Sequence, residues 1–253
     1  MTPTQQAQAH DHNFVAAISL LAEMAPTGWT GRYGAVRLAV TGVPGAFFNA
    51  MWVLKPTDST VLPAAVDGMR ESGFPFVVHV RSDLPELISA AGSLGLTDGG
   101  RLPCFAIEPR PIPPPLDDLS IERVRHETWG DFLDATMEGF DMSREMVEKL
   151  FGPGLLDDDR VRPFVAKLDG RVVATSMSIR TDATVGIYSI ATVPEARGRG
   201  IGTAMTWHLI ADADPGWDVA VLQASDIGRP VYERMGFKLV REFVEFLGIP
   251  TQG

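Results

Sequence analysis

The 253-residue chain has one cysteine, few lysines and no apolar run of the roughly 18 residues that cross a membrane. A lone thiol, Cys104, cannot form an intrachain disulfide, which predicts a reducing, cytoplasmic compartment. Because no apolar run is long enough, we expect no membrane partner. The first residues contain neither a basic nor an apolar segment, so no secretory signal is expected. Only four of the 22 basic residues are lysines, a bias typical of a GC-rich bacterial genome.

Acidic side chains outnumber basic ones by 32 to 22, which gives a net charge of −10. Nucleic acid is excluded as the default partner, because its binding depends on clustered lysine and arginine. The same negative field favours a cationic small molecule. Hydrophobic residues make up 45% of the chain, enough for a globular protein with a substantial core.

Five prolines fall between positions 109 and 115, a composition that excludes helix and favours a stiff polyproline spacer. We therefore predict an α/β unit over 1–112, a proline-rich linker over 113–118 and a second unit over 119–253. Two histidines, His10 and His12, lie in a polar N-terminal segment. For that segment we expect a mobile terminus rather than a metal site, and we predict no bound metal.

Periodicity and turn signals predict an alternating order of strands and helices in the second unit. The predicted strands are 119–124, 161–168, 171–180, 184–193, 219–223 and 238–247, and the predicted helices are 129–139, 143–151, 200–213 and 229–235. Asp169 and Gly170 join the second and third of these strands as a hairpin, since this dipeptide adopts the positive φ of a tight turn.

The first unit repeats part of this order more weakly. Strands are predicted at 46–54, 74–80 and 102–108, with helices at 60–72 and 84–94. Gly95 then occupies the place that Gly236 has in the second unit. Two interpretations are open here: an internal duplication, or the common occurrence of this order in α/β proteins.

A glycine-rich turn follows the strand that ends near Val193. Gly198, Gly200 and Gly202 alternate there and open the next helix, whose free N–H groups and dipole favour a phosphate. Arg197 and Arg199 add positive charge in an acidic chain. Neither a dinucleotide fingerprint nor a P-loop fits, because the required third glycine and the required lysine are missing.

This turn resembles the acetyl-CoA signature of the GCN5-related N-acetyltransferase (GNAT) superfamily, Gln/Arg-x-x-Gly-x-Gly/Ala, with Arg197, Gly200 and Gly202 at its positions. Downstream, residues 231–237 resemble the family's Leu-Tyr-x-x-x-Gly-Phe block. The resemblance covers about 119–247. It implies a mixed-sheet α/β GNAT acyltransferase fold in that half, preceded by a smaller GNAT-like α/β domain.

The resemblance further implies acetyl-CoA as co-substrate, held along a strand that separates from its neighbour. The implied contacts are Ile190, Ala191, Thr192, Arg197, Gly198, Arg199, Gly200, Ile201, Gly202 and Thr203. Ser225 stands where many family members carry asparagine. Because serine has a shorter reach, its contact with CoA is left open.

By the same resemblance, an acceptor amine attacks the thioester directly and Tyr232 protonates the leaving thiolate. The alternative for Tyr232 is a half-buried aromatic with no catalytic part. Candidates for the acceptor pocket are Glu138, Phe140, Asp141 and Tyr188, although a solvated loop between two helices is the alternative for the first three. The general base is not identified.

In the first unit the glycine turn is replaced by 55–60, which has no glycine, and Asp58 would repel a phosphate. We therefore predict a degenerate GNAT-like domain that does not bind CoA and that closes one wall of the acceptor pocket or supports a homodimer. An unrelated accessory domain is the alternative. For the whole chain, the competing functions are a catalytically silent acyl-CoA-binding sensor or scaffold and a transferase of a different acyl group.

Overall fold

The computed structural model describes residues 1–57, 59–213 and 216–250, so Asp58 lies outside the described residues. Eleven strands form one mixed sheet with helices on both faces, which confirms the α/β class. The strands are β1 (Trp29–Tyr33), β2 (Val36–Val40), β3 (Asn49–Val53), β4 (Phe76–Arg81), β5 (Thr97–Ile107), β6 (Leu119–Arg123), β7 (Val161–Leu168), β8 (Arg171–Thr181), β9 (Thr184–Thr192), β10 (Val219–Gln223) and β11 (Lys238–Gly248). The helices are α1 (Pro3–Met24), α2 (Val61–Glu71), α3 (Pro85–Gly92), α4 (Trp129–Phe140), α5 (Arg144–Leu150), α6 (Ile201–Asp212) and α7 (Arg229–Met235).

The second half of the chain has its strands and helices where local signals predict them. Asp169 and Gly170 take φ values of 51° and 78° in the turn between β7 and β8, which confirms the hairpin. The Ser143 hydroxyl accepts a hydrogen bond from the Met146 N–H and caps α5. Local sequence therefore suffices to define these elements.

The first half confirms the predicted order of strand, helix, strand, helix, strand, with three differences. Residues Ala46–Phe48 form a 3₁₀ turn ahead of β3 rather than its beginning. Strand β5 begins at Thr97, five residues before its predicted start at 102, because this polar stretch pairs with β11. The short strands β1 and β2 and the helix α1 were not predicted at all.

The two halves exchange their last strands. The strand order is β1-β2-β3-β4-β11-β5-β10-β9-β8-β7-β6, so β5 pairs with β10 of the second half and β11 pairs with β4 of the first. At the centre, β5 and β11 pair with each other in antiparallel orientation. Strands from before and after the predicted linker therefore belong to one sheet. The boundaries of the two units stay predictions.

The central pair of strands has a symmetric register. Leu102 pairs with Phe243, 141 residues further along the chain. Cys104 of β5 pairs with Arg241 of β11. The residue 141 positions after Cys104 is Glu245 and the residue 141 positions before Arg241 is Gly100, and these two also form an observed pair. Each strand therefore occupies the position that its counterpart has in the other half.

The irregularities in this pair obey the same shift. The register skips Val240 on β11 and Gly99 on β5, and these two residues are also 141 positions apart. A shared order of strands and helices does not require equivalent β-bulges, since a bulge depends on local backbone. The symmetry favours internal duplication over coincidence.

Helix α1 corrects the expectation of a mobile N-terminus. The Thr2 hydroxyl accepts a hydrogen bond from the Gln5 N–H, and the Gln5 side chain accepts one from the Thr2 N–H, a capping box that starts the helix. Phe14 and Ala17 are buried against the sheet, and α1 contacts strands of both halves. His10 is fully buried, so this N-terminal segment is held by packing against strands of both halves.

The remaining helices divide between the two faces. Helices α4 and α5 share with α1 a core over β7 and β8, whereas α6 and α7 pack on the opposite face over β9 and β10. In the first half, α2 and α3 cover β2 to β4 on the face away from α1. None of the described helices is long and apolar enough to span a bilayer.

Replacing Gly186 tests how closely α1 packs against β9. A Cβ on Gly186 would lie 2.0 Å from the Asn13 Oδ1, so Gly186→Ala should lower the free energy of unfolding by about 1–3 kcal/mol. The measurement is urea unfolding. Gly130→Ala, at an open position in α4, is the matched control and should be neutral or slightly stabilising. Equal midpoints for the Gly186 variant and wild type would mean that α1 does not rest on β9.

Candidate active site

The parallel pair β9 and β10 stops pairing part-way along its length. The ladder runs from Thr184–Val219 to Gly186–Val221 and ends, while β9 continues to Thr192. Up to that residue β9 stays paired with β8 on its other side. The expected separation of these strands is confirmed, and among the described residues no strand pairs with the β10-facing backbone of 187–192.

A β-bulge redirects the free part of β9. Thr175 pairs with Ala191 and Met177 pairs with Tyr188, so two residues of β9 lie opposite one residue of β8. One of the two, Ser189, has a φ of 52°, and its carbonyl accepts a hydrogen bond of 3.1 Å from the Thr175 hydroxyl. The predicted contact residues 190–192 therefore begin inside this bulge, with Ile190, and continue directly after it.

The glycine turn follows directly. Gly198 and Gly200 both have a φ of 78°, and a Cβ at either position would meet no atom within 4 Å. Backbone conformation, and not crowding, thus requires glycine, and the space beside the turn is open. Gly200 is the N-cap of α6, so Ile201, Gly202 and Thr203 present the first N–H groups of that helix.

Arg197 and Arg199 have different surroundings. The Arg197 Nε donates to the Thr192 carbonyl at 3.1 Å and its Nη2 donates to the Gly139 carbonyl at 3.0 Å. This guanidinium therefore ties the turn to the ends of β9 and α4. Arg199 is exposed beside the open space. The predicted phosphate contact of both arginines stays a prediction.

Tyr232 lies in α7 and packs on the core that α6 covers. Its ring makes an edge-to-face contact with Phe237 at a centroid distance of 5.7 Å, and the side chain is half-buried. Burial raises the pKa of Tyr232, while a hydrogen bond with Thr206 of α6 acts in the opposite direction. Its hydroxyl is consequently protonated at neutral pH.

Ser225 belongs to the turn that leads into α7. Its hydroxyl accepts a hydrogen bond of 3.2 Å from the Gly228 N–H, and its carbonyl accepts one of 2.9 Å from the Arg229 N–H. The side chain is exposed. These bonds shape the turn, and contact of Ser225 with CoA stays a prediction.

Three of the predicted acceptor residues lie at the end of α4. Glu138 and Phe140 are in its last turn, so the predicted loop is shorter than expected and begins at Asp141, whose φ is 55°. All three are exposed. A Cβ on Gly139 would lie 2.7 Å from the Ala191 Cβ, which places this helix end directly beside β9.

The fourth predicted acceptor residue, Tyr188, faces α1. Its hydroxyl donates to the Asn13 Oδ1 at 2.7 Å, and burial raises its pKa. The structure thus adds Asn13 and Gln223, which sequence reasoning missed, and the buried His10, which it had assigned to a mobile terminus. The capping box at Thr2 was the available signal for a helix there, but nothing local showed which sheet that helix covers.

Comparison with known proteins identifies the family of one segment of the chain. The sequence model described as "Acetyltransferase (GNAT) family" matches residues 121–237, from β6 to the end of the α7 turn. Residues 121–237 belong to the GNAT family. The glycine turn and Tyr232 both lie inside this GNAT domain, as the two sequence motifs predict.

Solved structures extend the fold to nearly the whole chain. A GCN5-related N-acetyltransferase from Kribbella flavida superposes with a TM-score of 0.72 at 18% identity, covering 99% of this chain and 96% of that one. A tandem GNAT protein from the clavulanic acid biosynthesis pathway gives a TM-score of 0.63 at 12% identity, over 97% and 96%. At such identities the likeness shows the fold alone, and the GNAT fold prediction is confirmed.

A curated relative matches a shorter stretch. Mycothiol acetyltransferase of Streptomyces griseus is 34% identical over 95 residues, which cover 32% of this chain. The match spans 31% of that relative's own length, about a third of the protein.

Titration of the tyrosines tests the environment of Tyr232 in the GNAT domain. The chain has three tyrosines, and the phenolate absorbance that Tyr232→Phe removes should have its titration midpoint above pH 10.0, the ordinary pKa, because burial raises the pKa of Tyr232. Tyr33→Phe, on β1, is the control for loss of an unrelated tyrosine. A Tyr232 component with its titration midpoint below pH 10.0 would contradict this environment.

Proposed function

We propose that the GNAT domain transfers an acetyl group from acetyl-CoA to a primary amine. The observation that carries this proposal is the end of the β9–β10 ladder at Gly186–Val221, where the freed strand leads into the open glycine turn. An extended pantetheine arm fits the unpaired backbone edge of β9. The pyrophosphate fits the start of α6, with Arg199 beside it.

The thioester of acetyl-CoA supplies an activated acyl group. A neutral amine attacks its carbonyl carbon, so a nitrogen–carbon bond forms, the carbon–sulfur bond breaks and the electron pair leaves on sulfur. A backbone N–H of β9 stabilises the oxyanion. Tyr232 then donates its hydroxyl proton to the sulfur, since the phenol carries that proton at neutral pH. Before the attack, water or a base of the acceptor pocket removes one proton from the ammonium. After the attack, the nitrogen loses a second proton by the same route, and this proton restores the Tyr232 hydroxyl.

Removal of the Tyr232 hydroxyl is the test of this acid. Tyr232→Phe keeps the ring packing against Phe237, so kcat for acetyl transfer should fall more than tenfold while the KM for acetyl-CoA changes about twofold or less. Steady-state kinetics by CoA thiol release give both values. Tyr33→Phe should retain wild-type rates. A tenfold or smaller loss of kcat in Tyr232→Phe would count heavily against the proposed acid.

A glycine variant tests the turn. Gly200→Ala forces a side chain into a φ of 78°, which costs about 1–2 kcal/mol and shifts the N–H groups that we propose bind phosphate. Acetyl-CoA should therefore bind about tenfold more weakly in calorimetry. Gly202→Ala is the matched control, because a Cβ there makes an ordinary 3.6 Å contact with Ile190 and the family signature accepts alanine. Equal affinities of the two variants would place the phosphates elsewhere.

The first half is, in our proposal, a degenerate GNAT-like unit that binds no acyl-CoA, joined through 113–118 to the unit at 119–253. Two observations support it. The β3–β4 ladder runs from Ala50–Val77 to Val53–Val80, the last residue of β3, so these strands do not separate. The segment 54–60 after β3 also contains no glycine. This unit closes a wall of the acceptor pocket or supports a homodimer.

Stoichiometry tests the degenerate unit. Isothermal calorimetry should give one acetyl-CoA per chain, because only the β9–β10 pair leaves a strand edge for the pantetheine arm among the described parallel pairs. Gly200→Ala should weaken that one site without revealing another. Two acetyl-CoA molecules per chain would refute the proposal for the first half.

An acceptor screen tests the function as a whole. The panel contains small amines, peptides and proteins, together with amines related to mycothiol, since the Streptomyces relative is named mycothiol acetyltransferase. Amine-dependent release of CoA thiol supports the transferase. Saturable acetyl-CoA binding without thiol release would instead indicate a silent acyl-CoA sensor, and release with other acyl-CoA esters alone would indicate a different acyl group.

A further inference from the structure

A connected row of polar side chains is buried beneath α1. The Asn13 Oδ1 accepts from the Tyr188 hydroxyl at 2.7 Å, and the Gln223 side chain is close enough to Tyr188 to act against the rise in its pKa. The Gln223 amide nitrogen lies 2.7 Å from the His10 Nε2, and the His10 Nδ1 lies 3.3 Å from the Asp11 Oδ1. The row starts on the helix at Asn13, crosses β9 and β10 through Tyr188 and Gln223, and returns to the helix at His10.

The partners of His10 define how its ring is protonated. Asp11 is held by Arg241 through three contacts of 2.8–3.1 Å and acts as an acceptor. The His10 Nδ1–H therefore donates to Asp11, and the Nε2 accepts from the Gln223 amide. Full burial lowers the pKa of His10, with Arg241 and His79 acting in the same direction and Asp11 against it. The neutral ring in this tautomer satisfies every neighbour.

The row crosses the gap between the separated strands. Tyr188 lies two residues beyond Gly186, and Gln223 lies two residues beyond Val221, where the backbone ladder has already ended. Side chains from α1 span this interval on one face. Asn13 also donates to the Ile179 carbonyl and the Thr181 hydroxyl, both at 2.9 Å, which fastens the helix to β8. On this face, side chains and not main-chain pairing define the geometry of the gap.

Among the described residues of the first half, the equivalent place has no such row of polar side chains. Gln223 pairs with Cys104 of β5, and His79 pairs with Glu245 of β11. Cys104 and Glu245 are equivalent positions, because they are 141 residues apart. His79 is therefore the counterpart of Gln223. There the backbone ladder includes the pair Trp52–His79, and the two rings stack at a centroid distance of 5.8 Å. The polar row thus accompanies the half in which the strands separate.

The two faces of the gap have different neighbours. The glycine turn opens into α6, which packs with α7 and Tyr232 on one face. Tyr188 faces α1 on the other, the face that α4 also covers and to which Glu138 and Asp141 belong. With acetyl-CoA entering from the α6 side, the amine approaches from the side of α1.

We propose that His10 is a positioning residue: by fixing the Gln223 amide, it holds Gln223 and Tyr188 as the wall along which the acceptor amine reaches the thioester. The proposal rests on the proposed function and deepens it on the acceptor side. It assigns to the N-terminal helix a part in acceptor use and none in acetyl-CoA binding.

Two substitutions separate the ring nitrogens of His10. In His10→Gln the terminal amide lies near the Nε2 position and still reaches Gln223, whereas in His10→Asn the shorter amide lies near the Nδ1 position and reaches only Asp11. We expect kcat/KM for the acceptor to fall about tenfold or more in His10→Asn and about threefold or less in His10→Gln. The Kd of acetyl-CoA should stay within about twofold in both. His12→Gln, on the exposed side of α1, is the matched control.

Parallel losses would overturn the proposal. If the two His10 variants lose acceptor kcat/KM equally, or lose acetyl-CoA affinity in step with their urea midpoints, then His10 acts through stability alone. A merely structural role would not make acceptor kcat/KM depend on which amide replaces the ring. Retention of acceptor kcat/KM in His10→Gln and its loss in His10→Asn therefore support the positioning role.

A second measurement does not depend on turnover. The side-chain amide signals of Gln223, assigned in nitrogen-15 NMR spectra by their loss in Gln223→Met, should exchange slowly in wild type and His10→Gln and rapidly in His10→Asn. Unchanged signals in His10→Asn would overturn the positioning contact. Absence of amine-dependent thiol release in wild type would overturn the proposed function separately, so the two failures are distinguishable.

Discussion

The antiparallel pairing of β5 with β11 is the constraint on which the rest of the structure depends. Because each half contributes its last strand to the other, these two strands join both strand sets into one sheet. Strand β5 gives β10 a neighbour on one side, so β10 can separate from β9 on the other without becoming a free edge. Strand β11 carries Arg241, which holds Asp11 and thereby seats α1 over the gap. The site therefore depends on strands from both ends of the chain.

The two halves show how the same topology gives an open or a closed pair of strands. In the second half, a bulge at Ser189 bends β9 away from the ladder, and a glycine turn with positive φ continues the bend into α6. In the first half, β2 and β3 pair without interruption, and β3 pairs with β4 to its end. A few backbone irregularities, rather than a difference in strand order, distinguish the proposed acyl-CoA site from its closed counterpart.

Local sequence predicted most of the second half because its signals are local. The Asp169–Gly170 turn, the Ser143 cap and the alternating glycines each act within a few residues. The first half was predicted less well, since β1 and β2 are only five residues long and β5 is extended by its pairing with β11. Helix α1 was missed because its buried face carries His10, Asp11 and Asn13, polar residues that suggest an exposed segment until their partners are known.

The sequence by itself determined the order of strands and helices in the second half, the glycine turn and the placement of Tyr232 after it, because each depends on the conformational limits of neighbouring residues. Only the tertiary structure decided which strands pair, that Arg197 bonds to the carbonyls of Thr192 and Gly139, and that His10 reaches Gln223 more than 200 residues away. Such contacts join distant parts of the chain. Their energy depends on geometry that no local pattern contains, and so the sheet, and not the motif, completes the site.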